Sequence, residues 1–188
     1  KEKACDAFDG RVFSNNDTKV DNEDVPDTFA VHLSPTHPAW DADVDGGATV
    51  AKWIWSENPV SLPDTQVDTT KTFVRTFNIA GTPTEGTLNI AADNFYTVWV
   101  NGTEVGSELA DENNFQIGTQ DTYDVSSYLV AGSNEIKVEA TNKGVPGSDP
   151  LSNPPGVMFA LRYEGEDCGE EEPEDGTLSI LKVIVGDQ

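Results

Sequence analysis

The sequence predicts an all-β protein built as an antiparallel β-sandwich, and two observations lead to this prediction. First, none of the 188 residues belongs to an apolar pattern of helical period that is sustained over several turns. Second, short segments that alternate apolar and polar residues recur along the chain, separated by turn residues that include many of its 16 Gly and 11 Pro. Many short strands of this kind favour a sandwich of jelly-roll type.

The clearest predicted element is a β-hairpin at residues 91–106. Its first strand, FYTVWV at residues 95–100, is aromatic and β-branched, as half-buried strands usually are. Asn101-Gly102 follows, and this dipeptide is typical of the two-residue type I′ turn, which needs positive φ at both positions. Residues 91–94 are predicted to form the turn that enters the hairpin. Further strands are predicted at residues 29–33, 51–55, 71–79, 87–91, 122–129, 135–140 and 156–163.

Composition divides the chain into four parts. Residues 1–28 are polar and predict an irregular N-terminal arm with at most one strand near Val12, whereas residues 29–163 hold the sandwich. Residues 164–176 are strongly acidic and predict an extended linker. Residues 177–188 then predict a detached C-terminal strand.

That C-terminal strand is apolar on both faces, through Leu178, Ile180, Leu181, Val183, Ile184 and Val185. A strand with two apolar faces belongs inside a sheet, because left free it promotes aggregation. It can return to its own sandwich, begin a further domain, or be donated to a neighbouring subunit by strand complementation. Self-return is the least economical of the three, because of the charged spacer.

Two cysteines, Cys5 and Cys168, bracket almost the whole sandwich and predict a disulfide that ties its ends. Closing so long a loop stabilises a fold by about 4–5 kcal/mol in the chain-entropy model. Free thiols or an incomplete metal pair are the alternatives, and the spacing fits no zinc pattern. With two N-x-T sequons, at Asn16 and Asn101, the cysteines favour an exported, extracellular protein whose sequons are candidate glycosylation sites.

The net charge of −23 excludes some partners. It argues against nucleic acid, whose phosphates this surface would repel, and against electrostatic docking on anionic membranes. No run approaches the roughly 20 apolar residues that a membrane-spanning helix needs. The chain begins at Lys1, which fits an exported protein whose leader has been removed or a fragment.

Three aspartates at alternate positions, Asp41, Asp43 and Asp45, are followed by glycine and imitate the first half of a calcium loop. The twelfth position of an EF-hand loop would be Lys52 in place of Glu, and no helical pattern flanks the motif. An EF-hand is therefore excluded. The remaining interpretations are a structural Ca²⁺ site completed by other loops, or an acidic solvated turn.

Aromatic residues are the candidates for ligand contact. Trp40, in a loop beside the aspartates, and Tyr96, in the hairpin, are predicted to face a ligand, whereas Trp53, Trp55 and Trp99 lie in strands and are predicted to be core. His32 and His37 are the only histidines, and no Ser or Cys stands in a recognisable nucleophile motif. The sequence thus predicts a protein that is not an enzyme.

The hairpin and the segments after it carry a resemblance to a known family. Residues 93–106 (DNFYTVWVNGTEVG), 123–129 (YDVSSYL) and 132–138 (GSNEIKV) resemble the galactose-binding-like jelly-roll domains. These include the non-catalytic sugar-binding domain of family 2 glycoside hydrolases and accessory domains of α-L-rhamnosidases. The resemblance covers roughly residues 48–163, implies the fold, and is only weakly specific for function. The catalytic barrel of those hydrolases has no counterpart in this chain.

Two non-catalytic functions follow as expectations. The preferred one is a structural or adhesive component of the cell surface, joined to copies of itself or to further domains through the C-terminal strand. One version of this function is a filament subunit. The alternative is a carbohydrate-binding module of a larger secreted protein or glycoside hydrolase. The first is based on the two-faced apolar strand and the cysteine pair, and the second on the resemblance and on Trp40.

Overall fold

A computed structural model describes residues 4–21, 28–44 and 50–169. Twelve strands are present in this part of the chain, with one short helix between the fifth and the sixth. They are β1 (Asp6–Phe13), β2 (Lys19–Asp21), β3 (Thr28–Phe29), β4 (Val31–His32), β5 (Ile54–Trp55), α1 (Leu62–Gln66), β6 (Thr69–Ile79), β7 (Thr82–Asp93), β8 (Phe95–Val100), β9 (Thr103–Glu108), β10 (Asp121–Asp124), β11 (Gly132–Asn142) and β12 (Gly156–Asp167).

The strands form two antiparallel sheets that pack face to face, as the sequence predicts. The first sheet has the order β10–β7–β12–β5–β4, with β1 also beside β12, and the second has the order β3–β2–β6–β11–β8–β9. Side chains buried between the sheets include Leu88, Ile90, Phe159 and Leu161 from the first and Phe73, Val98, Ile136 and Val138 from the second. Alternation along each strand directs these residues inward.

The predicted hairpin is confirmed as β8 and β9. Asn101 and Gly102 connect the two strands with φ values of 49° and 78°, the positive values that a type I′ turn requires. The entry to the hairpin differs from the prediction, because residues 91–93 belong to β7 and Asn94 alone joins β7 to β8. β8 then pairs with β11 on its other side, from Ile136↔Val100 to Thr141↔Phe95.

The described part of the N-terminal arm is more regular than predicted: the strand expected near Val12 is present, but it begins at Asp6, and a second strand follows. β1 pairs with β12 over eight residues, from Asp6↔Asp167 to Phe13↔Ala160, and β2 pairs with β6. The full length of β1 is hard to predict because its sequence is polar. The strand gains its backbone hydrogen bonds from β12 and buries few apolar side chains of its own.

The predicted acidic linker begins too early by four residues. β12 continues to Asp167, so Glu164–Asp167 belong to the ladder with β1 and β7. Cys5 directly precedes β1 and Cys168 directly follows β12, next to the pair Asp6↔Asp167, and the two cysteines form the predicted disulfide. Residues 170–188, with the rest of the linker and the whole C-terminal strand, lie outside the described residues.

The direction of each strand determines at which end of the sandwich a connection lies. β7 and β11 end where β6, β8 and β12 begin, and the long connections 33–53, 56–68, 109–120 and 143–155 gather there. We call this the loop end. The hairpin turn at Asn101-Gly102, the start of β11 and the disulfide lie at the opposite end, which we call the disulfide end. No helix in the described part of the chain has the length and apolar character needed to cross a membrane.

Candidate functional site

Trp40 is fixed at the loop end by two neighbours. Its indole Nε1 donates a hydrogen bond to Asp93 Oδ2 at 2.8 Å, and its ring stacks on Trp53 with centroids 4.3 Å apart and planes at 26°. Trp53 Nε1 in turn donates to the backbone oxygen of Asp41 at 2.7 Å. Two stacked indoles with satisfied N–H groups make a rigid wall, because neither ring can turn without losing a buried hydrogen bond.

Asp93, the last residue of β7, is the titratable group at this wall. Only 6% of it is exposed, and burial raises its pKa to about 7, although the hydrogen bond from Trp40 acts in the opposite direction. The carboxyl group therefore titrates near neutral pH.

Beside Trp40 lies a cavity of about 460 Å³. Its walls are largely apolar and rigid, because five prolines line it: Pro35, Pro38, Pro59, Pro150 and Pro154. Polar side chains at the same lining are Ser34, Thr36, His37 and Asn58, and Leu151, which is 80% exposed, stands at the mouth. A concave, mostly apolar pocket with a few polar groups is the usual form of a small-molecule site.

The polar groups of this cavity are held by local contacts. The Asn58 amide donates to the backbone oxygens of His32 and Ser34, both at 3.3 Å. The imidazole of His37 lies 6.2 Å from the Trp40 ring, and its Nδ1 accepts a hydrogen bond from the Ala39 N–H. The cavity thus has fixed polar positions on apolar walls, which suits a ligand with one apolar face and a polar edge.

The two aromatic residues predicted to face a ligand have different surroundings in the structure: one lines the cavity and the other is buried between the sheets. Trp40 lines the cavity but is only 6% exposed, so it contributes a wall and no open platform. Tyr96 is 1% exposed, and its hydroxyl donates to Asp121 Oδ2 at 2.6 Å and lies 2.8 Å from the Tyr123 hydroxyl. Because the ring of Tyr96 is enclosed between the sheets, it offers no surface to a ligand in this structure.

Of the tryptophans predicted to be core, Trp53 and Trp55 are buried, but Trp99 is not fully buried. Alternation along β8 turns Tyr96, Val98 and Val100 inward and leaves Trp99 on the outer face. There the Lys137 Nζ lies 3.9 Å from the ring centroid of Trp99. The lysine covers the ring in a cation–π contact.

The aspartates predicted to bind Ca²⁺ are described only in part. Asp41 joins two loops: its N–H donates to the backbone oxygen of Phe115, its carboxylate accepts from the Asp43 N–H, and it accepts from the Gln120 amide. Asp45 lies outside the described residues. Among the described residues, one group of three potential metal ligands lies close together: Cys5, Glu166 and Cys168. The two cysteine sulfurs of this group are joined in the disulfide. Calcium therefore stays a prediction.

The two sequon asparagines differ in their surroundings. The Asn101 amide donates to the backbone oxygen of Tyr128 and to Asn134 Oδ1, and its oxygen accepts from the Glu135 N–H. Asn16 lies in an exposed turn, and its Oδ1 accepts from the His32 N–H at 3.1 Å. Both residues are exposed, and glycosylation stays a prediction for both.

The cavity itself was not predicted from the sequence. Its lining comes from residues 33–40, 58–60 and 150–154, which are far apart in the chain and meet only when β4, β5 and β12 pair. The concentration of prolines in three loops was a usable signal, because prolines in loops form rigid surfaces.

Comparison with known proteins adds solved structures of similar fold. No protein-family model and no curated protein matches the chain. One similar solved structure is the Streptomyces avermitilis α-L-rhamnosidase complexed with L-rhamnose, at 28% identity and a TM-score of 0.49 over 70% of this chain and 12% of that one. α-L-Rhamnosidases, whose accessory domains the sequence resembles, are thus among the similar structures.

Two others are a lectin from Pleurotus ostreatus in complex with GalNAc and a β-glucuronidase from Ruminococcus gnavus. The lectin is 17% identical with a TM-score of 0.45, covering 73% of this chain and 36% of its own. The glucuronidase is 16% identical with a TM-score of 0.41, covering 53% of this chain and 20% of its own. The chain spans about an eighth to a third of the length of these three proteins, and superposition at this level transfers none of their activities to it.

Proposed function

We propose that this chain is a non-catalytic carbohydrate-binding module of a larger extracellular protein, with the cavity beside Trp40 as its sugar site. The observation that carries the proposal is the lining of this cavity, in which rigid apolar surface and fixed polar groups lie side by side. A pyranose ring has the matching character, with C–H groups on its faces and hydroxyl groups at its edge. Binding of this kind needs both contacts at once.

The proposal is for binding without cleavage. Hydrolysis of a glycosidic bond ordinarily uses two carboxyl groups that flank it. The described lining instead offers imidazole, amide and hydroxyl groups, from His37, Asn58, Ser34 and Thr36. These groups donate and accept hydrogen bonds, so they can fix the orientation of a sugar.

An extracellular setting is supported by the disulfide between Cys5 and Cys168, because such bonds persist in oxidising compartments. Membership of a larger protein is supported by the sequence of residues 177–188, whose two apolar faces fit the first strand of a following domain.

A glycan panel with a pair of matched variants tests the sugar site. Leu151 and Ile117 are both 80% exposed at the loop end, but only Leu151 lines the cavity. Leu151→Arg should weaken binding of any sugar found on the panel at least about tenfold by isothermal titration, which is ~1.4 kcal/mol, because the long side chain obstructs the mouth. Ile117→Arg should leave the affinity unchanged.

No binding by the folded chain to a broad panel of neutral and acidic glycans would refute this function. Equal losses in the two variants would also count against it, since the binding surface would then lie outside the cavity. The variants should have the same thermal stability as the parent chain, because both positions are exposed.

A second proposal is head-to-tail association, as in a surface filament, through the predicted C-terminal strand. The observation that favours it is the placement of exposed apolar side chains in loop-end connections, among them Leu62, Val67, Leu109, Ile117, Val145 and Leu151. The described chain leaves the sandwich at the opposite end, at Cys168. An apolar strand from one copy and an apolar surface at the far end of the next can link copies into an open chain.

Truncation tests this second proposal. A chain that ends at Glu172 should stay monomeric in mass photometry and electron microscopy, whereas the full chain should form ladders or filaments. Ile117→Arg in the full chain should shorten these assemblies, because it places a charge in the receiving surface. The same monomeric state for full and truncated chains would contradict strand donation.

A further inference from the structure

A lysine, an aspartate and an asparagine meet inside the sandwich at the loop end. Lys71 lies on β6 opposite Ala140, and Asn142, the last residue of β11, lies opposite Thr69. Lys71 and Asn142 are therefore diagonal cross-strand neighbours on the same face of the sheet. Such neighbours are about 7–8 Å apart, which a lysine side chain can reach across.

Asp64, on α1, contacts both of these residues. Its Oδ2 lies 3.5 Å from Lys71 Nζ and accepts a hydrogen bond from Trp55 Nε1 at 2.8 Å. Its backbone oxygen accepts a hydrogen bond from Asn142 Nδ2 at 2.7 Å. The amine of the lysine and the amide nitrogen of the asparagine thus both touch one buried aspartate, which is only 6% exposed.

One atom of this cluster has no partner among the described residues. Asn142 is 0% exposed, and its Oδ1 makes no hydrogen bond there. A buried carbonyl oxygen without a donor costs folding free energy, and native proteins contain few of them. The side chain of Asn142 is therefore held by one hydrogen bond, from its amide nitrogen to the Asp64 backbone oxygen, while its amide oxygen is buried without a donor.

We propose that Lys71 and Asn142 form an intramolecular amide bond in the folded protein. The Lys71 amine attacks Asn142 Cγ, a bond forms between Nζ and Cγ, and the bond between Cγ and Nδ2 breaks. Asp64 takes a proton from the lysine ammonium, which frees the amine to attack. This proton and a second one, which Nζ gives up as it becomes an amide nitrogen, both pass to the departing nitrogen. One ammonium ion leaves for each bond made, and no oxidant or reductant is needed.

The chain's own residues supply what this reaction requires. Pairing of β6 with β11 places Lys71 and Asn142 within side-chain reach of each other, which replaces an encounter in solution with an intramolecular step. The hydrogen bond from Trp55 holds the Asp64 carboxylate in place, and the complete burial of Asn142 excludes the water that would compete for its amide carbon. Asp64 acts as the proton carrier.

Intact-mass spectrometry of the denatured, disulfide-bonded chain tests the proposal directly. The wild-type mass should be about 17 Da below the mass expected from the sequence, since one ammonia is lost. Lys71→Arg keeps the charge beside Asp64 but removes the primary amine, and its mass should show no loss. Lys137→Arg, a matched change on the outer face of β11, should keep the loss.

A proteolytic digest should contain one branched peptide that joins the segments around Lys71 and Asn142. A wild-type chain at its full sequence mass would overturn the proposal without any need for variants. Persistence of the loss in Lys71→Arg would overturn it as well, since the ammonia would then come from another site, such as cyclisation at Asn101-Gly102.

Discussion

The buried carboxyl group of Asp93 links the cavity wall to the pH of the surroundings. The folded chain raises its pKa from the ordinary 3.8 to about 7, so between these values the folded state binds a proton that the unfolded state has released. The contribution of Asp93 to the free energy of unfolding is therefore present at low pH and falls as the pH rises through this window.

Replacing Asp93 with Asn should remove this dependence while keeping an acceptor for Trp40 Nε1. Relative to the parent chain, Asp93→Asn should gain stability between pH 4 and pH 8, by up to about 4 kcal/mol for a shift of this size. Chemical denaturation at several pH values measures the difference. Asp124→Asn is the control of opposite sign, because hydrogen bonds from Ser126 lower the pKa of Asp124. A flat difference for Asp93→Asn would show that this carboxyl group stays charged.

Single residues also show where sequence reasoning reached its limit. Strict alternation along β8 already implied that Tyr96 shares a face with Val98 and Val100, so its burial could have been predicted from the pattern. The indole contacts of Trp40 could not, because its partners Asp93 and Trp53 lie in other parts of the chain.

At the scale of elements, β1 is the strand that the sequence conceals. Its inward side carries Phe8, whose ring lies edge-on to Tyr163 at 6.3 Å, and Gly10 beneath the same tyrosine. A Cβ at residue 10 would lie 2.2 Å from Tyr163 Cζ, so only glycine lets the ring cross the strand. A glycine in a polar segment looks like a turn signal, although here it belongs to a strand.

Gly10→Ala should destabilise the protein by about 1–3 kcal/mol, because the added methyl group must displace the Tyr163 ring or part β1 from β12. Thermal unfolding and hydrogen exchange along β1 and β12 measure this effect. The control is Asp9→Ala, an exposed position in the same strand that faces Glu164 across the ladder. If Gly10→Ala were as stable as this control, Tyr163 would not be held over β1 in solution.

At the scale of the whole molecule, the sequence predicted the class of fold, the hairpin and the disulfide from local signals. Alternation reports which strands exist, and a turn dipeptide reports which neighbours pair. Neither reports that β12 lies between β7 and β5, or that four long connections gather at one end. The candidate cavity depends on that gathering, because its lining is assembled from three loops. Non-local pairing was therefore the missing information.

The disulfide also determines how the domain responds to mechanical force. Cys5 and Cys168 are separated by 163 positions in the sequence, yet their Cα atoms are only 4.0 Å apart. Force applied to the two ends of the chain is transmitted from one cysteine to the other through the sulfur–sulfur bond. The strands between Cys5 and Cys168 in the sequence therefore carry none of this force. In a tethered surface protein, this domain would add almost no extensible length and would keep its cavity folded under tension.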